Sequence, residues 1–241
     1  MLAGGMTNGP ARNWADVFQY LSTFIPPQQI HALPGNHDYY HGCLDDDPYL
    51  ADAARQAGTQ FVQKKTLPHG DTRLLCCTLW TDFALPRSVA GAMRVAGRVM
   101  RDHDLIRAPE DPQSFLAKDG NIRPSRRIRP IDTLNVHLDH RAWLASALGE
   151  PHPAGAAGRT AVVTHHGPHP AVAGRIDGLS ASFHSDLSDL LTRHRPEAWF
   201  FGHSHRRLRG HVHGTDIRNV SIGYAGELMD EPISYLREAC V

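Results

Sequence analysis

Short apolar runs alternate along the chain with stretches in which hydrophobic residues recur every three or four positions, and this switching of period predicts an α/β fold. Residues 13–24 place Trp14, Val17, Phe18, Leu21 and Phe24 on one helical face, with Asn13 as a cap and Pro26-Pro27 as the stop. Residues 29–33 read as a short strand cut off by Pro34-Gly35, 47–57 as a helix ended by Gly58, and 73–80 as a buried strand. Leu134, Leu138, Leu144, Ala145 and Leu148 predict a helix over 133–148, and Leu187, Leu190 and Leu191 predict another, capped by Ser182 and running to 194. Residues 160–164 and 197–201 read as strands, and 209–222 as a terminal hairpin around Gly214. Residues 102–132 show neither period.

Composition narrows the picture. The chain has 241 residues, 41% hydrophobic and 21% charged, enough apolar surface for one sizeable domain over 1–241 and too much for wholesale disorder. Lys plus Arg and Asp plus Glu both number 25, so the formal net charge is zero and the basic footprint of general nucleic-acid binding is missing. No apolar run approaches the roughly 18 residues of a membrane span, and the N-terminus lacks the basic and apolar regions of a secretory leader. The four cysteines (Cys43, Cys76, Cys77 and Cys240) form no CxxC pair, which fits reduced thiols and a cytoplasmic protein. Cys76-Cys77 reads as buried strand rather than a redox pair, because successive strand residues face opposite sides. The one unusual figure is 17 histidines; imidazole is the commonest metal ligand and titrates near neutral pH.

Three predicted strands end in polar clusters: Gly35-Asn36-His37-Asp38, Thr164-His165-His166, and Gly202-His203-Ser204-His205. Residues beyond the carboxyl ends of strands in an α/β sheet converge on one crevice, so Asn36, His165, His203 and His205 are expected together. Imidazole nitrogens with an amide oxygen suit zinc, manganese or iron. On an extended backbone His203 and His205, two positions apart, point their rings the same way and serve one metal or two adjacent ones.

GNHD, THH and GHSH in that order, each after a strand, resemble the calcineurin-like metallophosphoesterase family over residues 1–223. The resemblance implies two packed mixed β-sheets flanked by helices, and a phosphoester hydrolase (phosphatase or phosphodiesterase) using one or two divalent ions (Mn, Zn or Fe) to activate water. It implies Asn36, His165 and His203 as ligands of the second metal, His205 as a ligand of the first, and His166 as a neighbour supporting His165. His37 matches the ring that assists the leaving group, and Asp38 the acid that orients it. The family's opening Asp-x-His has no counterpart in the chain, and Leu2-Ala3-Gly4-Gly5-Met6-Thr7-Asn8-Gly9 matches its next motif with Gly5 where the metal-bridging Asp belongs. That leaves the first-metal site incomplete. The alternatives are a catalytically impaired member that binds metal or phosphoester, and a natural start upstream of Met1.

Other chemistry-bearing residues read more plainly. His31, His69, His137, His140, His152, His169, His184 and His194 lack motif context and are expected at the surface or satisfied in the core. His211 and His213 are an incidental pair. The arginines of 123–129 read as a solvated excursion rather than a phosphate-facing loop, and Asp45-Asp46-Asp47 as a turn opening the next helix. Tyr39, Tyr40 and Trp80 either line a substrate pocket or pack in the core.

Overall fold

The computed structural model describes residues 1–9, 12–86, 88–110 and 124–227. In chain order the elements are β1 (Leu2–Ala3), α1 (Arg12–Leu21), β2 (His31–Leu33), α2 (Asp47–Gln56), β3 (Gln60–Phe61), β4 (Lys65–His69), β5 (Thr72–Cys77), α3 (Val89–Val99), α4 (Asp102–Leu105), β6 (Arg107–Pro109), β7 (Ser125–Arg127), α5 (Pro130–Gly149), β8 (Arg159–Thr164), α6 (Ser188–His194), β9 (Ala198–Phe201), β10 (Arg209–Val212) and β11 (Thr215–Asn219). Strands β1, β2 and β3 form a parallel sheet. A mixed sheet of six runs β10-β11-β9-β8-β5-β4, parallel through its centre and antiparallel at both edges.

The alternation of strand residues builds the layers. Leu75 and Cys77 of β5, Val162 of β8 and Trp199 and Phe201 of β9 face Leu144 and Leu148 of α5 and Leu187, Leu190 and Leu191 at α6. Their neighbours Leu74, Cys76, Val163 and Phe200 face the other way, against Ala3, Leu33 and Val62 of the smaller sheet. Central parallel strands are covered on both faces, which is why they read as unbroken apolar runs. The outer face of the smaller sheet packs Ile30 and Ala32 under Trp14 and Phe18 of α1 and Leu50 and Ala54 of α2. Cys76 and Cys77 thus enter different cores, and burial pushes both thiols up, Cys76 to about 12. Cys240 lies outside the described residues.

Two elements depart from expectation. Ser182 caps nothing: it ends a 3-10 turn, and α6 begins at Ser188. The intervening residues are pinned instead to the loop after β8, where Gly167 N–H donates to the Phe183 carbonyl and Ser185 N–H to the Gly167 carbonyl. Among its described residues the aperiodic stretch 102–132 holds α4, β6 and β7, each too short to show a period, and the first residues of α5. Arg126 binds Asp132 through both terminal guanidinium nitrogens (2.7 and 2.8 Å), and Arg127 pairs with Asp104 at 2.9 Å, so these arginines are engaged by neighbouring acids; Arg123 lies outside the described residues. The terminal hairpin forms as expected, turning at His213-Gly214.

His137, His140 and His184 are buried rather than superficial. The Leu79 N–H donates to His140 Nδ1 at 3.1 Å, and burial lowers the pKa of this ring to about 4. The unfolded chain therefore takes up this proton first, so the stability this ring confers is full above about pH 6.5 and is lost as pH falls towards 4, to the extent of about 3 kcal/mol. Urea unfolding at pH 7 and pH 4.5 checks this: His140→Gln, whose amide oxygen can accept the same proton, should lose less stability over that interval than the wild type.

Candidate metal centre

The three motif segments do end strands, and the fold brings three of their side chains into contact. Residues 34–36 follow β2, His165 follows β8, and His203 follows β9 by one residue. The Asn36 Oδ1 and His165 Nε2 atoms lie 3.0 Å apart, although they come from different sheets. The His203 ring centre is 4.9 Å from that of His165 and 4.4 Å from that of His166. The approach is tight because Gly35 has no side chain: a Cβ there would fall 2.5 Å from His165 Cε1 and 2.5 Å from the Gly5 nitrogen.

Hydrogen bonding fixes what these groups present. His165 Nδ1 is 2.8 Å from the Ala3 carbonyl, which can only accept, so Nδ1 carries the proton and Nε2 offers a lone pair. Asn36 Nδ2 donates to Asp102 Oδ1 at 2.7 Å, and a carboxylate can only accept, so Oδ1 is the amide atom turned to His165. Two buried acceptors thus face each other. A second proton on His165 would relieve them, but burial lowers that ring to about 4. Beside them His203 Nε2 is buried without a hydrogen-bond partner, and burial holds this ring well below its usual pKa. Unpaired acceptors of this kind are costly unless a cation lies among them. The facing acceptors of Asn36 and His165 therefore fit one divalent ion, with the His203 ring centre 4.9 Å from that of His165. The neighbouring His166 has Nδ1 3.2 Å from the Thr78 carbonyl and its ring stacked on Trp80.

His205 stands apart from this set. Both His203 and His205 have left-handed backbones, with φ of 59° and 43°, so the extended geometry expected to align their rings does not exist. His203 turns into the core, while His205 lies at the rim with Nδ1 2.7 Å from Glu227 and its ring against Tyr224. Among the described residues His165, His203 and His205 do not bring their ligating atoms to one point. The cluster of Cys43, Asp45 and Asp46 does so, but the Asp46 carboxylate already takes the Cys43 N–H at 2.6 Å, the bond of a turn before α2.

Asp38 does not orient His37. Its carboxylate accepts from the backbones of Gly5 (2.8 Å), Gly35 (2.7 Å) and Thr7 (3.1 Å) and from Trp14 Nε1 (3.0 Å), beneath the site. His37 is held by others: Asn8 Oδ1 at Nδ1, Tyr224 on the Nε2 side, and the Tyr40 ring stacked on it at 4.4 Å. Burial lowers its pKa, with Asp102 pulling the other way. Tyr39, Tyr40 and Trp80 are all buried in the core, where the Tyr40 hydroxyl donates to Asp102. Asn8 sits in a motif the sequence displayed. Asp102, Tyr224 and Glu227 carried no signal, because nothing local marks a side chain that acts only through distant partners.

Two stacked sheets thus gather an amide and imidazoles at their strand ends. The model of the calcineurin-like phosphoesterases matches residues 2–207, and the chain belongs to that family, whose members are hydrolases acting on ester bonds. The crystal structure of phosphopantetheinyl hydrolase (PptH) from Mycobacterium tuberculosis shares the fold, with a TM-score of 0.58 and 16% identity over 82% of this chain and 70% of that one. A putative 5'-nucleotidase from Staphylococcus aureus aligns less well, with a TM-score of 0.40 and 14% identity over 88% of this chain and 34% of that protein. No curated protein matches the sequence. No described helix is long and apolar enough to cross a membrane.

Gly35→Ala tests the close approach. The added methyl meets backbone and a buried ring that cannot yield, so stability should drop by about 1–3 kcal/mol. Denaturant titration measures that loss, and calorimetry should show divalent-ion binding lost with it.

Proposed function

We propose that the chain is a divalent-metal-dependent phosphoester hydrolase whose second-metal position is held by Asn36, His165 and His203. The facing acceptors Asn36 Oδ1 and His165 Nε2 carry this reading, because a cation resolves them and the proton that would do so is disfavoured. A bound ion would polarise a phosphoryl oxygen and lower the pKa of water beside it. The chain supplies the rest. His37, beside Asn36 and braced by Asn8 and Tyr40, would assist the leaving oxygen, its acid form being the less favoured one in its half-buried place. The substrate is a phosphoester, and the ion is manganese, zinc or iron by the chemistry of the donors.

His165→Ala should abolish calorimetric binding of manganese, whereas His37→Ala should leave that binding in place and lower turnover of an aryl phosphodiester by about 100-fold or more. Unchanged manganese affinity in His165→Ala would refute the ligand assignment.

A second reading, a metal-binding member with little catalysis, is favoured by the first-metal side. Of the residues expected there only His205 is present, and Glu227 occupies its Nδ1. Gly5 supplies no carboxylate. A Cβ at Gly5 would meet only His165 Cε1, at 3.5 Å, and φ of 70° is a conformation that Asp tolerates better than most residues. Gly5→Asp should therefore fold, tighten divalent binding and raise turnover. Turnover already at ordinary enzyme rates in the unaltered chain, with no gain from Gly5→Asp, would exclude the second reading.

A further inference from the structure

We infer that Asp102 is the positioning residue of the centre, holding Asn36 in its ligating orientation and His37 in place through Tyr40; this rests on Asn36 being a metal ligand. Asp102 opens α4, 66 positions beyond Asn36 and outside every recognisable motif. It is only 5% exposed. One of its oxygens receives both Asn36 Nδ2, at 2.7 Å, and the Tyr40 hydroxyl, at 2.9 Å. Tyr40 in turn stacks on His37, ring centres 4.4 Å apart and planes 24° apart. A single acceptor therefore governs the amide of one residue and the stacking partner of the next.

The consequence for Asn36 is specific. An amide can rotate end for end within the same space. With Asp102 present, that rotation would turn a carbonyl oxygen towards a carboxylate. Without it, Nδ2 is free to swing to His165 and donate to the Nε2 lone pair. The two ligands would then satisfy each other, and the position between them would be closed to a cation. Asp102 keeps the centre from blocking itself. The short helix that carries it is fixed to the loop after His37, where the His41 N–H donates to the Leu105 carbonyl and the Leu44 N–H to the Arg107 carbonyl, both at 2.8 Å.

Calorimetric titration of the full chain with manganese tests this, with thermal unfolding in chelator to confirm that each variant is folded. Asp102→Ala and Asp102→Ser should each weaken manganese binding, by about 10- to 100-fold as is usual when a carboxylate behind a metal ligand is removed. Either suffices if the other does not fold. Asp102→Asn lacks the charge but keeps an acceptor oxygen, and should stay within about threefold of the wild type. His165→Ala is the control for the centre. If the wild type binds and His165→Ala does not, yet the Ala and Ser variants bind like the wild type, the role of Asp102 is overturned and the centre stands. An Asn variant as weak as the Ala variant overturns it too, since charge rather than orientation would then matter. A wild type that fails to bind manganese overturns the centre, and with it the role of Asp102.

Discussion

The Asp38 carboxylate lies beneath α1, 2% exposed, and draws the N–H groups of Gly5, Thr7 and Gly35 and the indole of Trp14 onto its two oxygens. Burial alone raises its pKa, and the donors oppose that rise. A carboxylate this deep is strongly destabilising unless its lone pairs are filled. The chain fills them by bending the loop after β1 and the loop after β2 around one point. The bend sets the Ala3 carbonyl against His165 and brings Asn8 to His37. Most of what distinguishes the site from an ordinary sheet edge follows from this one buried charge.

The second determinant is how closely the two sheets approach at their carboxyl ends. Their facing layer packs Ala3, Leu33 and Val62 against Leu74, Cys76, Val163 and Phe200, and beyond it Gly35 lies against His165. Larger side chains in that layer would part Asn36 from His165, and neither residue has another route to the same ion. The histidines around them share the low-dielectric surroundings. His165, His166 and His203 are all held neutral by burial, which is the protonation state that metal ligation requires.

The two halves of the centre are unequal. Where the second metal is expected, two acceptors are oriented by groups that only accept, a carbonyl behind His165 and a carboxylate behind Asn36, and the His203 ring lies beside them. At the first, His205 sits at the rim with Glu227 behind it, and Gly5 leaves the space beside His165 open. A carboxylate shared between two ions neutralises charge and sets their separation. Gly5 stands where the family resemblance places that carboxylate, and it supplies none.

Much of this was legible in the sequence. The apolar runs of β5, β8 and β9 and the helical stripe of α5 follow from periodicity, because each repeats one environment along a single element. His165 and His203 were legible from their places after strands, since β8 and β9 are parallel neighbours whose ends share an edge; Asn36 ends a strand of the other sheet, and the stacking of the two sheets brings it to His165. Tertiary structure decided the remainder. The role of Asp38 was misread because its donors are 3 to 33 positions away and leave no local pattern. The divergence of His203 from His205 turned on two left-handed backbone angles that residue identity does not announce. Asp102, Tyr224 and Glu227 were invisible because they act through partners 22 to 187 positions distant. Sequence displays what is periodic or adjacent; a hydrogen bond between buried groups is decided only when the whole core has closed and each donor has one acceptor left within reach.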